Sequence, residues 1–350
     1  MLHFHPLRVS KIERNTLQAV TITFDVPENL REIFIHEAGQ HITIKKKFDG
    51  QEIRRSYSIC TSPGEGTLSV GIKEIPDGIF SRYANRSLRE GDILEVHPPE
   101  GHFTFTPDAS RSRAVAAFAA GSGITPVISI LKTLLEEEPQ SKFVLVYGNR
   151  STADTMFLRE ITELIATYPE RLTVYFTYSR AEEENALFGR IEHATVNYII
   201  KNKQKDTAFD AFYLCGPEEM INTVSETLKE NGIEEDKINF ELFVSSKEEE
   251  KLDENLEGKS RVKVIVDDEE FEFTMSRSEK VLDAALRNDI DAPYSCQGGV
   301  CSSCLARVTE GKVKMVKNQI LTDAEIAEGL VLTCQSHPVT PTLSIDYDDV

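Results

Sequence analysis

CQGGVCSSC, residues 296–304, places three cysteines and two adjacent glycines in one short stretch, and a fourth cysteine, Cys334, stands well downstream. The spacing C-x4-C-x2-C followed by a distant Cys is the ligand pattern of a plant-type [2Fe–2S] cluster. Four thiolates hold two irons and two bridging sulfides, and the backbone must come very close to so small a group. Gly298 and Gly299 have no Cβ to obstruct that approach. Their amides, with those of Gln297 and Val300, are placed to donate to the cluster sulfurs. Two other readings compete. A structural zinc site usually presents two tight C-x2-C knuckles, and here one is missing. Disulfides need an oxidising compartment, which nothing in the sequence indicates.

Upstream of the cysteines, SEKVLDAALRND (278–289) has helical spacing with Val281, Leu282, Ala285 and Leu286 on one face and Ser278 as its expected cap. Before it, RVKVIVDDEEFEFTMS (261–276) predicts a hairpin turning at its acidic cluster. SSKEEEKLDENLEGKS (245–260) is charged and nearly free of large apolar residues. It reads as a linker over 245–258, with a solvated helix as the alternative. The order of hairpin, helix, cysteine loop and distant Cys over 259–350 resembles the plant-type ferredoxin family, a β-grasp fold. That resemblance implies Cys296, Cys301, Cys304 and Cys334 as ligands of a one-electron centre with a potential near roughly −400 mV.

The rest of the chain has two rhythms. VTITFDV (20–26), HITIKKKF (41–48), TLSVGIKEI (67–75) and DILEVHP (92–98) alternate with period two between Gly, Pro and Asp turns. They predict an antiparallel β-barrel over 1–106. From 107 to 244, buried strands alternate with helical segments: AVAAFAA, PVISILKTLLEEE, FVLVYGN, TMFLREITELIATY, LTVYFTYSR, FYLCGP and EMINTVSETLKENG. This is the pattern of βαβ units in an α/β parallel sheet. A chain of 350 residues exceeds one core, so the expected fold is multidomain.

Composition narrows the partners. With 39 basic against 58 acidic residues the formal charge is −19, which repels nucleic acid and anionic lipid alike. No export signal is recognisable at the N-terminus, and the longest apolar stretch, 114–131, is broken by Gly121, Gly123 and Pro126. A reduced cytoplasmic setting is the expectation, without membrane or nucleic acid partners. Cys60 and Cys215 stand alone among apolar neighbours and read as buried small hydrophobes.

Five short motifs carry the binding chemistry. RRSYSIC (54–60) alternates charge, hydroxyl and aromatic ring along a strand, with arginine suited to a diphosphate and serine to a flavin nitrogen. DGIFSRY (77–83) sets Gly78 and Ser81 at a turn opening a helix, where free amides favour an anion, and PPEGHF (98–103) closes the barrel region. AAGSGITP (119–126) lets a pyrophosphate approach a helix N-terminus through Gly121 and Gly123, with Pro126 in the first turn. Pro stands where the full dinucleotide fingerprint has its last glycine. TYSR ends a strand with Ser179 and Arg180, the latter suited to a 2′-phosphate; an ordinary exposed arginine reads equally well. YLCGPEEM sets Cys215, Gly216 and Pro217 on the edge where ligands of open α/β sheets bind.

In that order these motifs resemble the ferredoxin–NADP reductase family over residues 1–244. The resemblance implies FAD on Arg55, Tyr57, Ser58, Gly78 and Ser81. It implies NADPH, with NADH as the alternative, near Gly121, Gly123, Thr125, Ser179, Arg180, Cys215, Gly216 and Pro217. Ser58 and Cys215 are the residues it sets beside the reacting rings, with Ser58 as a hydrogen-bond partner of the flavin. The family ends on an aromatic residue that shields the flavin; Phe243, or Phe240, in NFELF is the candidate here. Flavin, nicotinamide and ferredoxin modules on one chain resemble the reductase components of multicomponent oxygenases, whose implied partner is an oxygenase. Competing readings are a reductase of small electron carriers and a zinc-stabilised binding protein without redox chemistry.

Overall fold

The period-two alternation becomes a six-stranded antiparallel sheet in the computed structural model, which describes residues 4–243 and 256–350. Its strands are β1 (His5–Thr16), β2 (Ala19–Asp25), β3 (His41–Phe48), β4 (Gln51–Ser58), β5 (Leu68–Lys73) and β6 (Ile93–Val96). Their order is β4-β3-β6-β1-β2-β5. The inward residues of the alternation, among them Leu7, Val20, Ile22, Ile42, Ile44, Val70, Ile72 and Val96, form one core with Phe80 of helix α1 (Ile79–Arg86). The β3–β4 hairpin turns at Asp49 and Gly50, with φ of 49° and 85°. Both lie in the left-handed region that a tight primed turn requires.

The second rhythm becomes β7 (Ala114–Ala120), α2 (Ile124–Glu137), β8 (Lys142–Asn149), α3 (Leu158–Thr167), β9 (Leu172–Tyr178), β10 (Leu187–Phe188), α4 (His193–Asn197), β11 (Ala211–Gly216), α5 (Glu218–Glu230) and β12 (Ile238–Leu242). The sheet order is β10-β9-β8-β7-β11-β12, with parallel pairing of β7 to β8 and to β11, and of β8 to β9. Val115, Ala116, Ala117 and Phe118 are buried on both faces of β7, as a strand covered by helices on each side must be. The helix expected from TMFLREITELIATY begins only at Leu158. Phe157 takes a positive φ and donates its amide to the Asn15 side chain at 3.0 Å.

Residues 4–241 form one compact unit that includes both sheets. Polar contacts tie the two sheets' segments together. The Ser129 hydroxyl donates to the Thr61 carbonyl at 2.7 Å, and buried Lys132 bridges Glu65 at 2.6 Å and Glu160 at 2.8 Å. Bridging by two carboxylates is what makes burying an ammonium tolerable.

The other unit carries β13 (Lys259–Val266), β14 (Glu269–Ser276), α6 (Val281–Arg287), β15 (Leu305–Glu310), β16 (Val313–Met315), α7 (Asp323–Ala327), β17 (Leu330–Leu332), β18 (Ser336–Pro338) and β19 (Thr342–Asp346). A five-stranded sheet runs β14-β13-β19-β15-β17, with β13 parallel to β19. The β13–β14 hairpin turns at Asp267 and Asp268, both at positive φ, as the acidic cluster predicts. Lys280, not Ser278, occupies the cap position of α6. The Ser278 hydroxyl pairs instead with that of Ser276 at 2.8 Å. Most of the expected 245–258 linker lies outside the described residues. Among the described residues no helix is long and apolar enough to cross a membrane.

Candidate functional site

Cys296, Cys301 and Cys304 lie on the loop between α6 and β15, and Cys334 lies in the turn after β17. The fold brings these segments together. Cys301 Sγ approaches Cys296 Sγ to 3.1 Å, and Cys334 shares hydrogen bonds with Cys296 and Cys304. The Gly298 amide donates to Cys296 Sγ at 3.3 Å, and Gln335 Nε2 reaches Cys334 Sγ at 3.7 Å. Hydrogen bonds from the Cys301 and Cys334 thiols, then from the Gly298 and Val300 amides, outweigh burial and hold Cys296 far below the usual thiol range. Thiolate character at one sulfur is what a metal ligand needs.

The loop packs closely against the segments that follow it. Gly299 sits at φ +73°, and a Cβ there would meet the Lys317 carbonyl and Gln335 Cγ at 3.0 Å. The Gln335 side chain donates to the Gln297 carbonyl at 2.9 Å, and Thr333 donates to the Cys304 carbonyl through both its amide and its hydroxyl. Among the described residues no three His, Cys, Asp or Glu are arranged to hold a single metal ion. Four clustered cysteine sulfurs with a backbone amide donating to one of them suit a two-iron cluster with bridging sulfides.

On β4, alternation places Arg55 and Tyr57 on one face and buried Arg54 and Ser58 on the other. The arginine that shares the hydroxyl's face is thus Arg54. Arg55 is exposed, and Tyr57 packs against Phe80 with ring centroids 5.6 Å apart. Gly78 immediately precedes α1 and has no room for a side chain, since a Cβ would fall 2.3 Å from Ser81 Oγ. Ser81 accepts from the Ile75 amide and donates to the Gly78 carbonyl, both at 3.3 Å, so the turn expected to open a helix does so.

Ser58 has a partner that the sequence does not reveal. Its hydroxyl donates to Glu241 Oε2 at 3.2 Å, across 183 positions of chain. Having spent its hydrogen on a carboxylate, the Ser58 oxygen offers only lone pairs to a neighbour. Cys215 lies fully buried at the end of β11. Burial, and then the charge of Glu241, pushes its thiol well above the ordinary range, so it is neutral and not a nucleophile. Cys60 is buried likewise, as expected.

The glycine loop after β7 is shaped by close approach. Gly121 adopts φ +56°, and its carbonyl accepts from the Tyr147 hydroxyl at 3.0 Å. A Cβ on Gly123 would lie 2.1 Å from the Cys215 carbonyl oxygen, which brings the GSG and CGP segments against each other. Thr125 Oγ1 donates to the Ser122 carbonyl, and Pro126 stands in the first turn of α2. Gly216 and Pro217 lead into α5. Ser179 bonds the Asn149 carbonyl through its amide at 3.0 Å, and Arg180 is exposed next to Arg150.

Three further residues near this edge were given no role by the sequence reading. Asn149, at the end of β8, is buried, with its side chain beside the Tyr147 hydroxyl. Lys73 Nζ comes to 3.7 Å from where a Gly121 Cβ would stand, and burial pushes its pKa down. Arg150 is the third. The signal for Asn149 and Arg150 was YGNR (147–150), at the end of the buried strand FVLVYGN; Lys73 had none. Phe243 follows β12 directly and is half-buried, and Phe240 is exposed.

Comparison with known proteins gives concordant results. Residues 6–105 match the oxidoreductase FAD-binding domain, residues 118–226 the oxidoreductase NAD-binding domain, and residues 264–339 the 2Fe-2S iron-sulfur cluster binding domain. The chain is 40% identical over 351 residues to a subunit of the 1,2-phenylacetyl-CoA epoxidase of Escherichia coli (strain K12), covering 99% of each chain. It is 34% identical to the ferredoxin reductase component of 3-ketosteroid-9-alpha-monooxygenase of Rhodococcus rhodochrous, covering 97% and 96%. Phthalate dioxygenase reductase, a modular structure for electron transfer from pyridine nucleotides to [2Fe–2S], shares the fold at a TM-score of 0.63 and 21% identity, over 98% of both chains.

Proposed function

Because the chain belongs to the reductase components of oxygenases that combine FAD-binding, NAD-binding and [2Fe–2S] domains, we propose that it serves a diiron phenylacetyl-CoA epoxidase in the reduced cytoplasm, with NADPH as its electron source. When bound, the nicotinamide supplies a hydride, the flavin splits its two electrons, and the iron–sulfur cluster passes them on singly. The observation that carries this reading is full-length similarity to a component of such an epoxidase together with four thiols gathered from distant segments. We read the chain as three modules, 1–106, 107–244 and 259–350, joined by a linker at 245–258.

The roles of individual residues follow from their chemistry. Arg55 offers a guanidinium to the FAD diphosphate, the α1 turn at Gly78 and Ser81 offers amides, and Tyr57 lies along the ring system. Ser58, its hydrogen held by Glu241, accepts from the flavin. Gly121, Gly123 and Thr125 let the dinucleotide phosphates reach the α2 N-terminus, with Lys73 beside them. Asn149, Ser179 and Arg180 face the adenosine side. Cys215, Gly216 and Pro217 border the nicotinamide, and Phe243 shields the flavin. Cys296, Cys301, Cys304 and Cys334 hold the cluster.

The acceptor is tested by reconstitution. Purified chain, NADPH and a phenylacetyl-CoA epoxidase oxygenase component are expected to give NADPH-dependent epoxidation. A flavin- and iron-containing protein that reduces small acceptors but not that oxygenase would point to another oxygenase or a small carrier. A colourless, zinc-containing protein would sink the redox reading.

Cofactor preference is tested at Arg180. A guanidinium facing a 2′-phosphate contributes a charge-assisted hydrogen bond of about 1.5–3 kcal/mol. Arg180→Ala should therefore lower the NADPH-to-NADH efficiency ratio by roughly tenfold to a hundredfold. An unchanged ratio would refute the assignment.

A further inference from the structure

We propose that His41 is a positioning residue for Ser58 and Glu241, held as a cation between the carboxylates of Glu100 and Glu241. The inference rests on the reading that Ser58 borders the flavin. His41 opens β3 and stands opposite Ser58 in register. Its backbone is pinned on the other side by a reciprocal pair, with His41 N donating to Glu100 O and Glu100 N to His41 O, both at 2.9 Å. Its ring fits because the residue after Glu100 is Gly101, at φ +116°, where a Cβ would lie 2.8 Å from His41 Nδ1. The PPEGHF stretch therefore houses this ring.

Each ring nitrogen faces a different carboxylate. Nε2 lies 3.5 Å from Glu100 Oε1, and Nδ1 lies 3.8 Å from Glu241 Oε1. These are charge contacts, longer than good hydrogen bonds. A neutral imidazole carries one N–H, so its other nitrogen would set a lone pair against a carboxylate; an imidazolium presents N–H to both. Burial alone would depress the ring, but the two carboxylates prevail and raise it to about 10.

The remaining groups facing this cluster do not compete for the cation. Thr43 Oγ1 donates to Glu100 Oε1 at 3.2 Å. His97 Nδ1 lies 3.9 Å from Glu100 Oε2, and burial pushes His97 down. Glu241 is thereby divided, with Oε1 turned to His41 and Oε2 accepting from Ser58 at 3.2 Å. Loss of the cation frees that carboxylate to turn, and with it the Ser58 hydroxyl.

The test uses full-length protein as purified. The His41 ring proton resonance, assigned by its loss in His41→Gln, is expected to show no titration step between about pH 6 and about pH 9. A step near 6.5, the ordinary value, overturns the proposal with or without bound flavin. Linkage gives the matching sign: a raised folded-state pKa makes the stabilisation complete below about 6.5 and removes it as pH rises through about 10. His41→Gln should flatten that alkaline decline in Tm.

In flavin-loaded protein, His41→Gln is expected to lower kcat for NADPH-dependent ferricyanide reduction roughly tenfold with KM for NADPH unchanged. Adding Glu241→Gln should then cost little more, and fully additive losses overturn the proposal. Should His41→Gln fail to fold, Glu100→Gln keeps the backbone cradle and is expected to bring the ring's titration down towards 6.5. A preparation that binds no flavin defeats the functional reading, while the titration still decides the ion pair.

Discussion

Cys334→Ala is expected to abolish the iron–sulfur centre while leaving flavin-dependent turnover intact. Cys334 is the proposed fourth ligand; it is buried in the turn after β17 and contacts the loop cysteines from outside their local sequence. Ala keeps the site apolar and small, so the fold of β15, β17 and β19 should survive. Iron and sulfide analysis should fall from about two of each per chain to near zero. Reduction of cytochrome c by NADPH should drop by roughly a hundredfold, with ferricyanide reduction within about twofold of wild type. Retained iron would show that the ligand set is wrong. The same substitution at Cys60, a buried thiol outside the cluster, should leave iron content unchanged.

The second large effect is expected at Gly123. A Cβ there would lie 2.1 Å from the Cys215 carbonyl oxygen, 2.4 Å from its carbon and 2.8 Å from the Gly216 amide nitrogen. These are backbone atoms of the adjoining segment and cannot swing aside as a side chain would. Gly123→Ala must push the GSG turn away from CGP, at an overpacking cost of about 1–3 kcal/mol. Because both segments stand at the proposed nicotinamide site, KM for NADPH should rise by roughly tenfold to a hundredfold. Gly121→Ala is the internal comparison. Its nearest obstacle is the flexible Lys73 Nζ at 3.7 Å, so its cost is chiefly left-handed strain, about 1–2 kcal/mol. Equal KM effects at the two glycines would mean that the close approach at Gly123 does not shape the site.

The contrast between these glycines shows where sequence reading stops. AAGSGITP announced a phosphate-type loop, but nothing in it said which glycine is sterically obligatory. That depends on Cys215, a strand away. CQGGVCSSC likewise did not show that Gly299 stands against Lys317 and Gln335, residues that follow it in the chain by 18 and 36 positions. Ser278 looked like the cap of α6 because serine is a good cap, yet its hydroxyl found Ser276 and the chain entered the helix at Lys280. TMF looked helical by periodicity, and Phe157 instead left the helix to bond Asn15. In each case a long-range or neighbouring contact overrode a local preference worth only about 1 kcal/mol.

From the sequence alone came the cysteine spacing, the period-two barrel, the βαβ alternation and the ordered motifs proposed to bind the cofactors. These are local or periodic features, and periodicity is set by backbone geometry that every segment obeys on its own. The tertiary structure alone decided which charges meet. It brought Glu241 to Ser58, set His41 between Glu100 and Glu241, and buried Lys132 between Glu65 and Glu160. Such pairings carry no sequence period. They persist because removing a charge from water is costly unless folding delivers a partner to the same place, and that partner can come from anywhere in the chain.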